Sequence, residues 1–145
     1  MRYARHDTRS TDDAERTMLA LESAIEHLGL DPDLLDLLKL RVSQINGCAW
    51  CAGQYGNKPL GDRAWDARAH ALASWRLSTR FDERERALLS WIDTLALGGA
   101  EFVDADHERL ARHFDEHQCL LLTTAIVALN EWSRLAARLQ PDPLL

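Results

Sequence analysis

The fold is decided by residues 37–51, which read LLKLRVSQINGCAWC. Apolar side chains recur there, and just before, at the three- and four-residue spacing of an amphipathic α-helix: Leu35, Leu38, Val42 and Ile45. The Asn46-Gly47 pair interrupts this pattern, and a short second helix is expected to open directly after it. The sequence therefore predicts that Cys48 lies in the first turn of a helix and that Cys51 follows one turn later.

That position gives the cysteine pair its chemistry. Unpaired N–H groups and the positive end of the helix dipole favour a thiolate, and such sites lower a cysteine pKa from ~8.5 to roughly 3.5–7.5. Cys48 and Cys51 lie on one face and are close enough to form a disulfide bond across the turn. A structural zinc site would need four ligands, and the sequence holds no second Cys-x-x-Cys. We therefore expect a redox pair and no metal, with two inert buried thiols as the alternative.

The rest of the chain also reads as helix, and no stretch alternates convincingly like a strand. Helices are predicted over residues of about 11–28, 32–45, 48–55, 62–77, 83–97, 104–115 and 116–139. The last is apolar around most of its circumference, so we expect it to be central or to lie at a subunit interface. Together these patterns predict an all-α, single-domain helical bundle over residues 1–145.

Composition excludes several classes of function. The chain has 145 residues and a formal net charge of −6 without a basic run, which argues against nucleic-acid binding. No stretch approaches the ~18 consecutive apolar residues of a membrane span, and no apolar signal core follows Met1. Three cysteines are too few for a secreted disulfide scaffold, and Cys119 on the apolar last helix is expected to be a core residue. We therefore expect a cytoplasmic protein that binds neither nucleic acid nor membrane.

Residues 37–51 closely resemble the core of the alkylhydroperoxidase D (AhpD)-like branch of the carboxymuconolactone decarboxylase family. Further similarity lies in ASWR at 73–76, ERERALL at 83–89 and LNEWSRL at 129–135, so the resemblance covers roughly residues 30–137. It implies an all-helical fold that assembles as homo-trimers or hexamers.

The resemblance also implies an activity. In this branch the cysteine pair reduces peroxides or disulfides without a metal or a bound organic cofactor. The implied partners are a hydroperoxide substrate and a thiol or dithiol reductant, which is either a protein or a small molecule. The decarboxylase members generally lack the cysteine pair, so Cys48 and Cys51 favour the redox branch.

Two positions depart from the family pattern. Redox members usually carry a Glu twelve residues before the first cysteine, where this chain has Asp36. They also place a His four residues after the second cysteine as part of a proton relay, where this chain has Tyr55. A phenol with a pKa near 10 is no general base at neutral pH, although it can donate a hydrogen bond to a thiolate. Asp36 could replace the Glu, or could form a surface pair with Lys39.

A third position suggests an exchange of residue types. The family often has a Tyr five residues before the Trp-Arg pair, and that place holds His70. We expect Tyr55 and His70 to approach each other, so that His70 supplies the missing imidazole; the alternative is a partly buried helix histidine. The predicted site is thus Cys48, Cys51, Asp36, Tyr55 and His70.

Three functions remain open at this point. The first is a thiol peroxidase that attacks hydroperoxides with one cysteine and forms a disulfide with the other. A second is a non-catalytic redox sensor or assembly protein on the same fold. The third, a lactone decarboxylase, would work without the cysteines. The helix N-terminus favours Cys48 as the more acidic thiol, whereas the family's relay position favours Cys51, and the sequence does not decide between them.

Overall fold

The computed structural model describes residues 8–56, 63–98 and 104–139, and these ranges are helical without a single strand. The elements in chain order are α1 (Thr8–Glu26), α2 (Pro32–Asn46), α3 (Ala49–Gly56), α4 (Arg63–Ala71), a 3₁₀ helix (Leu72–Leu77), α5 (Glu83–Leu97), α6 (Asp104–Ala111) and α7 (Glu116–Leu139). The predicted all-α fold is confirmed.

Helix α2 lies at the centre of the bundle and packs against α3, α5 and α7. Its start follows the sequence signals, because the Asp31 side chain accepts a hydrogen bond from the Asp33 N–H at 3.0 Å and Pro32 occupies the first turn. The core around it consists of large, fully buried side chains from α2, α5, α6, α7 and the 3₁₀ helix: Leu37, Leu38, Leu72, Leu88, Leu89, Ile92, Leu110, Leu122 and Ile126.

The prediction of a single helix over residues 62–77 is wrong in its second half. Residue 62 itself lies outside the described residues. Helix α4 ends at Ala71, and a 3₁₀ helix with a non-helical backbone at Ser74 follows (φ −122°, ψ 40°). The tighter turn brings two donors to one buried carboxylate on α5: the Trp75 indole N–H lies 3.1 Å and Arg76 Nη1 2.6 Å from Asp93 Oδ2. Arg41 of α2 binds the same carboxylate through two nitrogens, at 2.7 and 3.1 Å.

The last two helices also differ in part from expectation. Helix α6 ends at Ala111 instead of near 115, because Asp115 is used to open α7. Its side chain accepts from the Gln118 N–H at 2.7 Å, and the Gln118 side chain accepts from the Asp115 N–H at 3.1 Å. One face of α7 is buried, but its other face leaves Leu120 64% and Val127 50% exposed within a single chain.

Within the described ranges, no helix is both long and apolar enough to cross a membrane.

Candidate redox site

A glycine places the cysteine pair. Gly47 has φ 64° and ψ 29°, the left-handed conformation that ends a helix and that a side chain would disfavour. Its N–H donates to the Gln44 carbonyl at 3.3 Å, and the N–H of Cys48 donates to the Ser43 carbonyl at 3.0 Å. These two hydrogen bonds close the end of α2. Helix α3 begins directly afterwards, so Cys48 is the residue immediately before the new helix.

Cys48 and Cys51 form a disulfide bond, with their Cα atoms 5.3 Å apart. The N–H of Cys51 also donates to Sγ of Cys48 at 3.3 Å. A capping side chain makes the same contact when it accepts from the third N–H of a helix, and an ionised sulfur is the stronger acceptor. The first turn of α3 therefore directs a backbone N–H at Cys48 Sγ.

Two helices cover the cystine. Its neighbours are Met18 of α1 and Trp132 and Ala136 of α7, with Leu21, Tyr55 and Ala137 packed against the group; we call these residues and the cystine the cystine cluster. Cys48 is 1% and Cys51 0% exposed. In contrast, Trp50 between them is 37% exposed, so it flanks the site at the surface.

A pair of asparagines anchors the turn beneath the cysteines. The Asn46 side-chain amide donates to Asn130 Oδ1 of α7 at 2.8 Å and to the Val42 carbonyl at 3.1 Å. Asn130 is itself buried. The contact holds the end of α2 against α7, and it was not predicted because the two residues are 84 positions apart.

Tyr55 reaches an acidic residue of α1. Its hydroxyl donates a hydrogen bond to Oε1 of Glu22, while its ring packs against the cystine cluster. Burial, together with the hydrogen bond and the negative charge of Glu22, raises the pKa of Tyr55 well above its usual value. Tyr55 is therefore a neutral phenol over the whole physiological range. The spacing of residues in the sequence did not predict that Glu22 contacts Tyr55, because the two residues are 33 positions apart.

Lys39 is buried, and not at the surface as a simple surface pair with Asp36 would place it. Its side chain is 6% exposed, and Nζ lies 2.8 Å from Oε1 of Glu26 and 3.9 Å from Oε1 of Glu22. The ammonium also lies 5.3 Å from the centre of the Tyr55 ring. Asp36 is half-buried on α2, three residues before Lys39, and makes interactions of its own.

His70 does not join this group. It is exposed near the end of α4, and its Nδ1 lies 2.8 Å from the Asp66 carbonyl one turn earlier. The hydroxyl of Tyr55 has Glu22 as its partner instead, so the structure does not pair Tyr55 with His70 as expected. His70 stands as an exposed helix histidine.

The remaining cysteine is a core residue, as predicted. Cys119 is 5% exposed, and its thiol donates to the Phe114 carbonyl at 3.5 Å. Burial, with a smaller effect of the Asp115 charge, raises the pKa of the Cys119 thiol. Among the described residues, a groove of about 530 Å³ is lined by Leu28, Pro32, Leu122 and others and includes no residue of the cystine cluster.

Fold and site together define a class: an all-α bundle that carries a Cys-x-x-Cys disulfide bond at a helix N-terminus. Comparison with known proteins supports this class. A protein-family model, described as the carboxymuconolactone decarboxylase family, matches residues 12–94. A solved structure from Agrobacterium tumefaciens has a TM-score of 0.79 and 32% identity, covering 94% of this chain and 93% of that chain. It is a protein of unknown function with a provisional assignment as the antioxidant defence protein AhpD.

Two curated relatives are similar and are themselves uncharacterized. YdfG of Bacillus subtilis (strain 168) is 26% identical over 122 residues, which is 83% of each chain. YnjA of Escherichia coli (strain K12) is 31% identical over 104 residues, 72% of this chain, and the match spans only 57% of YnjA. The chain belongs to the carboxymuconolactone decarboxylase family and to its AhpD-like members.

Proposed function

We propose that the protein is a thiol-dependent peroxidase, in which Cys48 and Cys51 alternate between two thiols and one disulfide bond. The observation that carries this proposal is the disulfide bond at the N-terminus of α3, where a backbone N–H is directed at Cys48 Sγ. Similarity to AhpD-like antioxidant proteins supports it further.

The chemistry uses both cysteines. One thiolate attacks the distal oxygen of a hydroperoxide, the O–O bond breaks, and the alkoxide leaves as an alcohol after taking up a proton. The attacking cysteine is now a sulfenic acid. The second thiol displaces its hydroxyl group as water and closes the disulfide bond, so that two thiols and one hydroperoxide give a disulfide, an alcohol and water.

A dithiol reductant restores the site by thiol–disulfide exchange. Exchange is faster when the departing sulfur is the better-stabilised thiolate. Because the Cys51 N–H stabilises Cys48 Sγ, Cys48 is the better leaving group and the reductant attacks Cys51. Exchange then continues until the reductant is oxidised and both protein thiols are free.

Burial of the sulfurs favours a second candidate, a redox sensor without efficient turnover. Cys48 and Cys51 are buried in a cluster with Met18 and Trp132, so part of their surroundings must move before a reagent can reach the sulfurs. A sensor would use that movement of α1 or α7 as its output, and it would react with peroxide far more slowly than an enzyme does.

The test is consumption of hydrogen peroxide and of an organic hydroperoxide in the presence of dithiothreitol. We expect turnover by the wild type and by Cys119→Ser, because Cys119 lies in the core apart from the cystine cluster. Cys51→Ser should lose turnover completely. Stoichiometric oxidation of the wild type without sustained turnover would instead favour the sensor, and equal activity of Cys51→Ser would refute both candidates.

A further inference from the structure

The cystine is buried, so part of its surroundings must move before any reductant or peroxide reaches a sulfur atom. In the cystine cluster, α1 contributes Met18, whereas α7 contributes Trp132 and Ala136. Helix α3 follows Cys48 directly and carries Cys51. A movement of α1, of α3 or of α7 would each uncover the cystine, and the contacts of the three helices favour one of these movements.

Helix α7 is fixed in the centre of the bundle. It packs against α1, α2, α3, α5 and α6, and it adds Leu122, Ile126 and Leu129 to the main core. Its Asn130 side chain also accepts the 2.8 Å hydrogen bond from Asn46. Displacing α7 would therefore expose the apolar core to water, which is strongly unfavourable.

Helix α3 is tied at both ends. The Cys48 N–H donates to the Ser43 carbonyl at 3.0 Å just before the helix begins. At its other end, the Gly56 carbonyl accepts from the indole N–H of the buried Trp65 at 3.2 Å. Because α3 also packs against α2 and α7, it stays in place while its other neighbour moves.

Helix α1 is the least embedded of the three. Over positions 12–26, the stretch of α1 whose side-chain burial the structure describes, Met18 and Ile25 alone are buried. A non-helical link, residues 27–31, joins α1 to α2, and Gly29 within it has a φ of 76°. Such a link can absorb the change in backbone angles of a hinge. Met18 lies about 16 Å from Gly29 along the helix, so a swing of about 20° would lift it by about 6 Å.

Charged side chains hold α1 between this hinge and Met18. Glu22 and Glu26 follow Met18 by four and eight residues, so the three lie on the same face of α1. Lys39 of α2 meets both carboxylates: its Nζ lies 2.8 Å from Glu26 Oε1 and 3.9 Å from Glu22 Oε1. The Tyr55 hydroxyl donates to Glu22, and the centre of its ring lies 5.3 Å from the Lys39 ammonium. We call Glu22, Glu26, Lys39 and Tyr55 the latch.

The latch depends on Lys39. Its buried ammonium group faces two carboxylates of one helix and an aromatic ring. With Lys39 in place, both carboxylates are attracted to α2. Without it they would repel each other, and α1 would turn them towards water, where a charge is better solvated. Glu26 is already 56% exposed, so the latch can open without burying a new charge.

We propose that α1 is a gate over the cystine and that the ion pairs of Lys39 with Glu22 and Glu26 keep it closed. Opening of the gate lifts Met18 from the cystine cluster, and the strength of the latch sets how often a reductant reaches the disulfide bond. The inference deepens the function proposed above: it rests on that site being redox-active and not on turnover of peroxide.

The test is the rate at which excess dithiothreitol reduces the oxidised protein, followed by alkylation of the free thiols and intact mass. The two thiols of the reagent become a cyclic disulfide, and the cystine takes up two electrons and two protons to give two thiols. Glu26→Gln should be reduced at least about threefold faster than wild type, and Lys39→Met at least about tenfold faster, because each breaks the latch.

The two latch variants change the net charge in opposite directions, which separates the latch from a general charge effect. Glu26→Gln removes a negative charge and would speed attack by an anionic thiolate in any case, whereas Lys39→Met removes a positive charge and would slow it. Asp13→Asn is the matched control, because its ion pair with Arg16 lies within α1, and it should stay within about twofold of wild type. Slower reduction of Lys39→Met, or equal acceleration by Asp13→Asn, would overturn the gate.

Amide hydrogen exchange of the oxidised protein shows which helix moves. Glu26→Gln should speed exchange in α1 by at least about threefold and leave α3 and α7 within about twofold of wild type. Faster exchange in α3 or α7, with α1 unchanged, would overturn the gate. This measurement needs no reductant and uses the milder variant, so it decides the matter even if Lys39→Met fails to fold.

The outcomes also distinguish the gate from the function. A protein that does not turn over peroxide but shows the latch effect on reduction and exchange would refute the peroxidase function and support the gate. Peroxide turnover by a protein whose latch variants leave reduction and exchange unchanged would overturn the gate and leave the peroxidase function standing.

Discussion

The backbone N–H of Cys51 donates to Sγ of Cys48 at 3.3 Å, so the helix that the two cysteines open also holds one of them by its sulfur. Gly47 makes this contact possible, because its left-handed conformation ends α2 one residue before the pair. The position of the pair thus depends on a backbone feature as much as on the cysteines themselves.

The two thiols should differ in acidity. We expect Cys48, measured in Cys51→Ser, to react with iodoacetamide at a midpoint below ~8.5, because the backbone N–H of position 51 remains. Cys51, measured in Cys48→Ser, lacks that donor to its sulfur and should titrate at a higher pH. Mass spectrometry of the alkylated protein gives both midpoints. Equal midpoints, or a lower one for Cys51, would show that the N–H does not select Cys48.

Gly47→Ala should destabilise the protein by about 1–2 kcal/mol, the cost of a left-handed conformation for a residue with a side chain. No atom lies within 4 Å of the added methyl group, so the effect comes from the backbone alone. Gly53→Ala is the control: it sits inside α3 with equal space and should stabilise by about 0.5–1 kcal/mol. Urea unfolding measures both, and similar values for the two variants would contradict the role given to Gly47.

Asp93 should make stability sensitive to acid. Burial raises the pKa of its carboxyl group, but hydrogen bonds from Arg41 and Arg76 outweigh burial and hold the pKa below its usual value. The pKa of this carboxyl group is lower in the folded state than in the unfolded state, where it is ~3.9. The ionised group therefore stabilises the folded protein at pH values above ~3.9, and this stabilisation is lost as the pH falls through the folded-state pKa. The free energy of unfolding, followed by urea titration, should therefore fall below about pH 4 in the wild type.

Substitutions that break the ion pairs of Asp93 should differ in how much they lower the free energy of unfolding. Asp93→Asn leaves Arg41, which is 11% exposed, without its counter-ion and should cost about 3–5 kcal/mol at neutral pH. Arg76→Gln should cost no more than about 1 kcal/mol, because that side chain is 58% exposed. If the two variants unfold at the same urea concentration, the buried Arg41 pair is not the stabilising element.

Self-association should depend on the outer face of α7. Leu120 and Val127 lie seven residues apart on one face and are 64% and 50% exposed in the single chain. We expect wild type to form trimers or hexamers, as its family resemblance implies, and Val127→Arg to shift it towards the monomer. Light scattering at micromolar concentration measures this, with Leu77→Ser as the control for loss of an exposed apolar side chain. A monomeric wild type would refute the expectation.

Local rules accounted for most of the helices. The Asp31-Pro32 start, the Gly47 end and the reciprocal Asp82–Glu85 cap of α5 all involve residues within a few positions of each other, where backbone geometry fixes the contact. The break after Ala71 had no such signal. The break lets Trp75 and Arg76 donate hydrogen bonds to Asp93, which lies 18 and 17 residues further along the chain, respectively.

Helical spacing predicted only the position of the cysteine pair within the candidate site. Spacing placed Cys48 and Cys51 at a helix start, but Tyr55 meets Glu22 across 33 residues and Asn46 meets Asn130 across 84. Helical periodicity says which residues share a face and nothing about which helix covers that face. For the same reason Lys39, which reads as a surface residue, is buried between α1 and α3.

The most direct test of the redox site is the reaction of fully reduced protein with one equivalent of hydrogen peroxide, followed by intact mass and peptide mapping. The structure predicts a loss of two hydrogen atoms and a disulfide bond between Cys48 and Cys51, with Cys119 still reduced. Dithiothreitol should reverse the change. A protein whose Cys48 and Cys51 stay reduced, or whose oxidation stops at sulfenic acid without a bond between them, would contradict the account.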